Sequence, residues 1–416
     1  MTSPSPADAP QKVVLAYSGG LDTTVIIPWL REHYDCPVIA VCVDVGMDGE
    51  LDGLEERALQ SGAAKFYLQE AREEFITDYI YPCLRAGAVY EGEYLLGTAM
   101  ARPLISKKLV EIAQQEQADT ICHGATGKGN DQVRFELSIK ALAPELKIIA
   151  PWRLWDIRSR EDALDYLEAR GIAAPMKKSD SYSRDRNLFH LSHEGLDLEN
   201  PDAMPHYDQL LQIGVSPMRA PEESVTLALT FDKGVPTALN GEALSPTALM
   251  AELNRIGGAH GVGITDMVEN RVVGLKARGV YENPGGAILH AAHDMLERLC
   301  LDRKTLSLKR TLSIQYADLV YSGEWFTPLR ESLDAFVDAT QRTVSGRVKV
   351  MLYKGNIIPA GVSSPYSLYD AELASFATGE LYRHSDAEGF ITLSGLPLKV
   401  RAQMLAKAAS LSHEAQ

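Results

Sequence analysis

No apolar run in the chain approaches the ~20 residues a membrane-crossing helix needs, so no stretch reads as a membrane span. Cysteine is scarce: five in 416 residues (Cys36, Cys42, Cys83, Cys122, Cys300), an odd number, far apart and without a Cys-x-x-Cys pair. That argues against a disulfide framework or a cysteine zinc site; buried free thiols in a reducing compartment are expected instead. A basic excess is also missing. Lys and Arg total 41 against 56 Asp and Glu, a net charge of −15, which repels phosphate backbones and anionic membranes while leaving room for a local basic pocket. The start, rich in Ser, Pro and Ala, has neither a basic nor an apolar leader segment, so residues 1–11 are expected to be a disordered tail and the protein cytoplasmic.

What is present fits an ordinary globular chain, 45% hydrophobic and 23% charged. At ~150 residues per domain the length suggests two or three domains. Short β-branched runs at residues 13–16, 38–43, 65–68, 120–123 and 147–150 alternate with amphipathic stretches such as Ile105, Leu109, Ile112 and Ala113. Continuous apolar strands alternating with helices predict an α/β domain with a parallel sheet covered on both faces. In such sheets ligands bind beyond the carboxyl ends of the strands, where strand order reverses. Residues 175–200 turn polar and read as a loop. Beyond them, hairpins at 226–239 and 347–359 and a helix through Ile288, Leu289, Ala292, Met295, Leu296 and Leu299 read as α+β with an antiparallel sheet. Residues 393–409 read as a short amphipathic helix suited to packing on another subunit.

The first strand runs directly into Ala16-Tyr17-Ser18-Gly19-Gly20-Leu21-Asp22-Thr23-Thr24. Paired glycines allow a tight turn close to a ligand. Hydroxyls of Ser18, Thr23 and Thr24, with the free amides of a helix's first turn, would cradle phosphate or pyrophosphate. The spacing is not that of a Walker A loop. This string resembles the pyrophosphate-binding loop of the N-type ATP pyrophosphatases, which adenylate a substrate oxygen and let a nucleophile displace AMP.

After the fourth strand comes His123-Gly124-Ala125-Thr126-Gly127-Lys128-Gly129-Asn130-Asp131-Gln132-Val133-Arg134-Phe135-Glu136. Asn130 and Arg134, four apart, share one helical face. The set suits a zwitterionic substrate, with Arg134 for a carboxylate, Asp131 for an ammonium and loop amides for a second carboxylate. With residues 94–103, 149–153, 268–271, 276–282 and 364–369, the chain resembles the argininosuccinate synthase family from about residue 12 to 405.

The resemblance implies a nucleotide-binding domain of the N-type ATP pyrophosphatase kind at 12–172, a synthetase domain at 173–385 and a C-terminal oligomerisation segment at 386–416. It implies that ATP, with Mg²⁺, is held by residues 16–24, Val43 and Gly124. Aspartate would be held by Thr126, Asn130 and Asp131, and citrulline by Tyr94, Asn130, Arg134, Ser183, Ser192, Glu269 and Tyr281. A further citrulline position, often serine, is Ala99 here, so Thr98 or water would replace that hydroxyl. Asp22, Asp131 and Arg134 are the candidate catalytic residues, Asp131 orienting or deprotonating the incoming amine. His123, His190 and His193 read as structural or substrate-adjacent, since His-x-x-His alone lacks a third metal ligand. A homotetramer without nucleic-acid or membrane partners is implied. Two other readings remain: a tRNA-modifying ATP pyrophosphatase, expected to show a basic face and a reactive cysteine pair, and a non-catalytic adenine-nucleotide sensor.

Overall fold

The computed structural model describes residues 9–47, 49–174, 182–375 and 383–414. The five apolar runs form one parallel sheet of β1 (Val13–Ala16), β2 (Val38–Asp44), β3 (Lys65–Glu70), β4 (Thr120–Cys122) and β5 (Lys147–Ile149), ordered β3-β2-β1-β4-β5. Alternate residues of its central strands enter two separate cores, which is why the runs are apolar throughout. Val14, Ile39, Val41 and Ile121 join one core, with Leu104, Leu109 and Ile112 of helix Gly97–Glu116. Val13, Leu15, Val38, Ala40 and Cys122 join the other, with Ile26, Ile27 and Leu30 of helix Leu21–Tyr34. The chain lays β2 and β3 on one side of β1, then crosses to place β4 and β5 on the other. Strand order therefore reverses between β1 and β4, the place where sheets of this kind open a ligand crevice beyond their carboxyl ends.

The second half holds two antiparallel sheets. A four-stranded sheet orders β11 (Ile264–Asn270), β12 (Lys276–Glu282), β7 (Leu191–Glu194) and β6 (Ser183–Arg186). A five-stranded sheet orders β10 (Glu242–Ala243), β9 (Val235–Leu239), β8 (Val225–Asp232), β13 (Gly346–Tyr353) and β14 (Asn356–Ser363), containing both expected hairpins. The expected helix is Pro284–Cys300.

Three expectations need correction. Residues 175–181 lie outside the described residues, but the rest of the presumed loop at 182–200 contains β6 and β7. Its Ser-Arg-Asp-Arg strand lacks an apolar face because one face is turned to a polar site, so the usual alternation is absent. At the start, residues 1–8 lie outside the described residues, while the Gln11 amide donates to Asp119 Oδ1 at 2.9 Å, so ordered pairing begins before residue 12. At the end, the helix is longer than expected, His384–Glu414.

The chain divides into two compact units, Met1–Tyr366 and Ser367–Gln416. Residues 367–374 are exposed along their length. Within the second unit, the helix presents Phe390, Ile391, Leu393 and Leu398 to solvent. All five cysteines are free and buried. Among the described residues, no helix is long and apolar enough to cross a membrane.

Candidate functional site

The glycine loop leaves β1 at Ala16, whose register continues through a Tyr17 amide bond to the Val41 carbonyl at 2.9 Å. Gly19 adopts φ +75°, and a Cβ there would fall 2.1 Å from Leu54 Cδ2, so both backbone and space require glycine. Arg57 Nη1 donates to the Gly19 carbonyl at 3.0 Å and so ties the loop to the neighbouring helix Leu54–Gln60. Gly20 is the N-cap of helix Leu21–Tyr34, with no side-chain cap, so its first-turn amides stay available to an anion. Ser18 is exposed beside them. Thr24 Oγ1, by contrast, donates to the Gly20 carbonyl at 2.8 Å and Thr23 Oγ1 to the same oxygen at 3.3 Å. Both hydroxyls thus also tie the loop to the start of the helix. Leu21 is buried, and Asp22 lies exposed on the helix's first turn. Val43 buries its side chain in the core, leaving only backbone for a ligand.

The second polar loop starts at the neighbouring strand end. A Cβ on Gly124 would lie 3.1 Å from Thr23 Cγ2, so the two loops touch. The Ala125 amide donates to His123 Nδ1 at 3.3 Å, placing the imidazole proton on Nε2, 3.4 Å from Glu136 Oε1. Gln132 Nε2 donates to the Gly127 carbonyl at 2.7 Å and closes the loop, leaving Thr126 exposed at its tip. Asn130 is the N-cap of helix Asp131–Leu142; its Oδ1 accepts from the Val272 amide at 2.9 Å, and its Nδ2 donates to the Tyr321 hydroxyl at 2.8 Å. Arg134, buried, donates through Nε to the Tyr321 carbonyl and through Nη1 to Asp131 Oδ1, both at 2.9 Å.

The four-stranded sheet supplies the facing wall. Its register sets Ser192 opposite both Asp185 and Tyr281, and Ser183 opposite Glu194, so these side chains share one face. On the next strand Glu269 occupies the same face, two pairs along from Gly279 opposite Met267. A Cβ on Gly279 would lie 2.7 Å from Tyr281 Oη; its absence lets that ring lie along the strand and donate to Glu269 Oε2 at 3.0 Å. Burial pushes the Glu269 carboxyl upward. Tyr94 packs on Tyr281, ring centres 4.6 Å apart and planes tilted by 36°, and its hydroxyl accepts from the Thr98 amide at 3.0 Å. Ala99 is fully buried in the next turn.

Arg102 joins the halves, ion-paired with Asp131 Oδ2 at 2.8 Å and Asp185 Oδ2 at 3.1 Å. Burial opposes the Asp185 charge, but Arg102 and His190 outweigh it and hold the carboxyl well below its usual range. His190 Nε2 lies 3.0 Å from Thr98 Oγ1, and His193 Nε2 lies 2.8 Å from Glu282 Oε1, so both act within the protein frame. Among the described residues, no group of three or more His, Cys, Asp or Glu could hold a metal ion. Sequence reasoning missed Arg102, Gln132 and Tyr321 as site residues. The signal for Arg102 was a guanidinium inside the otherwise apolar stretch of residues 99–105, which demands a buried partner; Tyr321 and Gln132 offered none.

A glycine loop and an uncapped helix at the reversal point of a parallel sheet, faced by a polar antiparallel sheet, define a two-part nucleotide-binding α/β enzyme. Residues 12–173 match the family model described as the arginosuccinate synthase N-terminal HUP domain, and residues 182–401 match the arginosuccinate synthase C-terminal domain. Similar proteins include the argininosuccinate synthases of Brachyspira hyodysenteriae, 65% identical over 95% of this chain and 97% of that one, and of Lachnoclostridium phytofermentans, 62% identical over 95% and 98%. That of Desulforamulus reducens is 62% identical over 95% of this chain and 99% of its own. The chain belongs to the argininosuccinate synthase family, and it is an enzyme, a ligase of arginine biosynthesis.

Proposed function

We propose that the chain condenses L-citrulline with L-aspartate at the crevice between β1 and β4, consuming ATP and releasing AMP and pyrophosphate. Citrulline's ureido carbon is a poor electrophile, because two nitrogens donate into its carbonyl. Attack of the ureido oxygen on the α-phosphorus forms an O–P bond and breaks the bond to pyrophosphate. The aspartate amine then forms the C–N bond, AMP departs with the oxygen, and the amine gives up a proton.

Residues 16–24, with Val43 and Gly124, would bind ATP; Ser18 and the first-turn amides would carry the charge growing on pyrophosphate. Mg²⁺ would enter with the phosphates and neutralise them, since no cluster of metal-ligating side chains stands among the described residues; Asp22 is the nearby carboxylate suited to it. Thr126, Asn130 and Asp131 would hold aspartate, and Tyr94, Asn130, Arg134, Ser183, Ser192, Glu269 and Tyr281 citrulline. Asp131, with both oxygens on guanidinium groups, suits orientation better than proton removal. The observation that carries this reading is the meeting of both halves at Asn130, which is bonded to Val272 and Tyr321 while it heads the helix bearing Asp131 and Arg134.

The domain assignment follows: nucleotide binding at 12–172, substrate binding at 173–385, assembly at 386–416. The apolar side chains exposed on helix His384–Glu414 support assembly into a homotetramer, in the cytoplasm, serving arginine synthesis and, where a urea cycle operates, that cycle. Light scattering should give the tetramer mass for the full chain and a smaller one without residues 393–416. Burial raises Cys36 to about 11 and Cys42 to about 12, which weighs against the reactive thiols of a tRNA-modifying enzyme, and the net charge weighs against nucleic acid.

Pyrophosphate release measured with ATP, and with citrulline and aspartate singly and together, tests the reading. Sustained release is expected only with both amino acids; release that requires tRNA, or none under any condition, would overturn it.

A further inference from the structure

Tyr321 ends helix Arg303–Tyr321 and is only 1% exposed, yet three residues assigned above to citrulline lean on it. Its hydroxyl accepts from Asn130 Nδ2 at 2.8 Å, and Tyr321 lies close enough to Glu269 to draw that carboxyl's pKa down against burial. Its carbonyl accepts from Arg134 Nε at 2.9 Å, and its ring centre lies 4.8 Å from the Arg134 guanidinium carbon. Behind it, the Tyr90 ring stacks almost parallel at 3.5 Å, and Tyr94 meets it edge-on at 6.1 Å.

A phenol carries one proton. Asn130 Oδ1 accepts from the Val272 amide, so Nδ2 faces Tyr321 and the phenol lone pair takes its hydrogen, leaving the phenol proton available to the neighbouring Glu269 carboxyl. That polarity fixes the Asn130 amide: Oδ1 serves the Val272 amide, one N–H serves Tyr321, and the second N–H is what Asn130 has to offer a substrate. We infer that Tyr321 is a positioning residue for citrulline, holding Asn130, Arg134 and Glu269 in one geometry without touching substrate itself. The inference rests on the citrulline assignment made under the proposed function.

The test compares wild type, Tyr321→Phe and Tyr316→Phe. Tyr316 lies on the same helix, is equally buried, and donates to Asp334 at 2.7 Å away from the loops, so its loss reports the general effect of deleting a buried hydroxyl. Tyr321→Phe should raise the citrulline KM about tenfold, with the ATP KM within about twofold of wild type. Tyr316→Phe should leave both values in place. KM does not depend on how much enzyme is folded, so partial misfolding leaves the readout intact. An unchanged citrulline KM in Tyr321→Phe, an equal rise in both KM values, or the same rise in Tyr316→Phe would each overturn the inference. If wild type released no pyrophosphate with both amino acids, the functional reading itself would fall, a separate outcome.

Discussion

Asp131 and Arg102 meet at 2.8 Å, while Arg134 approaches the other Asp131 oxygen at 2.9 Å, so one carboxylate carries two guanidinium groups. A carboxylate held this way is a fixed point that orients what binds beside it. Asp131→Asn should raise the aspartate KM at least tenfold and lower kcat by about 10², because both arginines lose their shared anchor. The acidic limb of the pH–rate profile should survive in the variant; its disappearance would make Asp131 the base instead. Steady-state pyrophosphate release with aspartate varied from pH 5.5 to 9 reads both.

Ser18 stands exposed beside the uncapped first turn, and Asp22 lies on that turn. Removing one stabilising donor of this kind costs about 10²–10³ in rate. Ser18→Ala and Asp22→Asn should each fall in that range with the melting temperature nearly unchanged. Turnover equal to wild type in either one would remove that residue from phosphate handling.

Gly19 is the opposite case, a residue fixed by geometry and not by a functional group. Its φ of +75° and the 2.1 Å approach of Leu54 to a hypothetical Cβ mean that Gly19→Ala suffers backbone strain and overpacking together. A loss of about 2–5 kcal/mol in stability is expected, the sum of both effects. Gly20→Ala, whose Cβ would meet only Ser18 Oγ at 3.4 Å, should lose much less. Chemical denaturation of the two variants makes the comparison.

The His293 imidazole is buried, with Nε2 2.9 Å from Gln341 Oε1, and burial lowers its pKa from the ordinary value of 6.5. The unfolded chain therefore takes up this proton before the folded one does. The stability it contributes is complete above about pH 6.5 and is lost as the pH falls, at up to about 1.4 kcal/mol per pH unit. Unfolding free energy measured from pH 7.5 to 5 should show a shallower slope in His293→Gln than in wild type. Equal slopes would assign the acid sensitivity to other groups.

The parallel sheet was legible because both of its faces are buried, which leaves unbroken apolar runs such as 38–43, and the glycine loop because a bend at a strand end demands Gly19. Asn130 and Arg134 were legible from their four-residue spacing. β6 escaped because all four of its residues, Ser-Arg-Asp-Arg, are polar and none is buried, so the strand lacks any apolar period. Tyr321 escaped for another reason: its partner Asn130 lies 191 residues away, and no local spacing encodes a contact made only by tertiary closure. The bonds of Thr23 and Thr24 back to Gly20 were not legible, since a hydroxyl bonding back to the loop or outward to a ligand reads identically in the chain.

Leu15 stands level with Ala40 on one side and Cys122 on the other. The central sheet thus acts as a ruler for the enzyme, launching its two reactive loops from a common height. Deleting one residue from β1 would retract the first loop by about 3.3 Å and swap Val14 with its neighbours between the two cores. Such a variant would retain every chemical group and still fail, because its reacting atoms would no longer be flush.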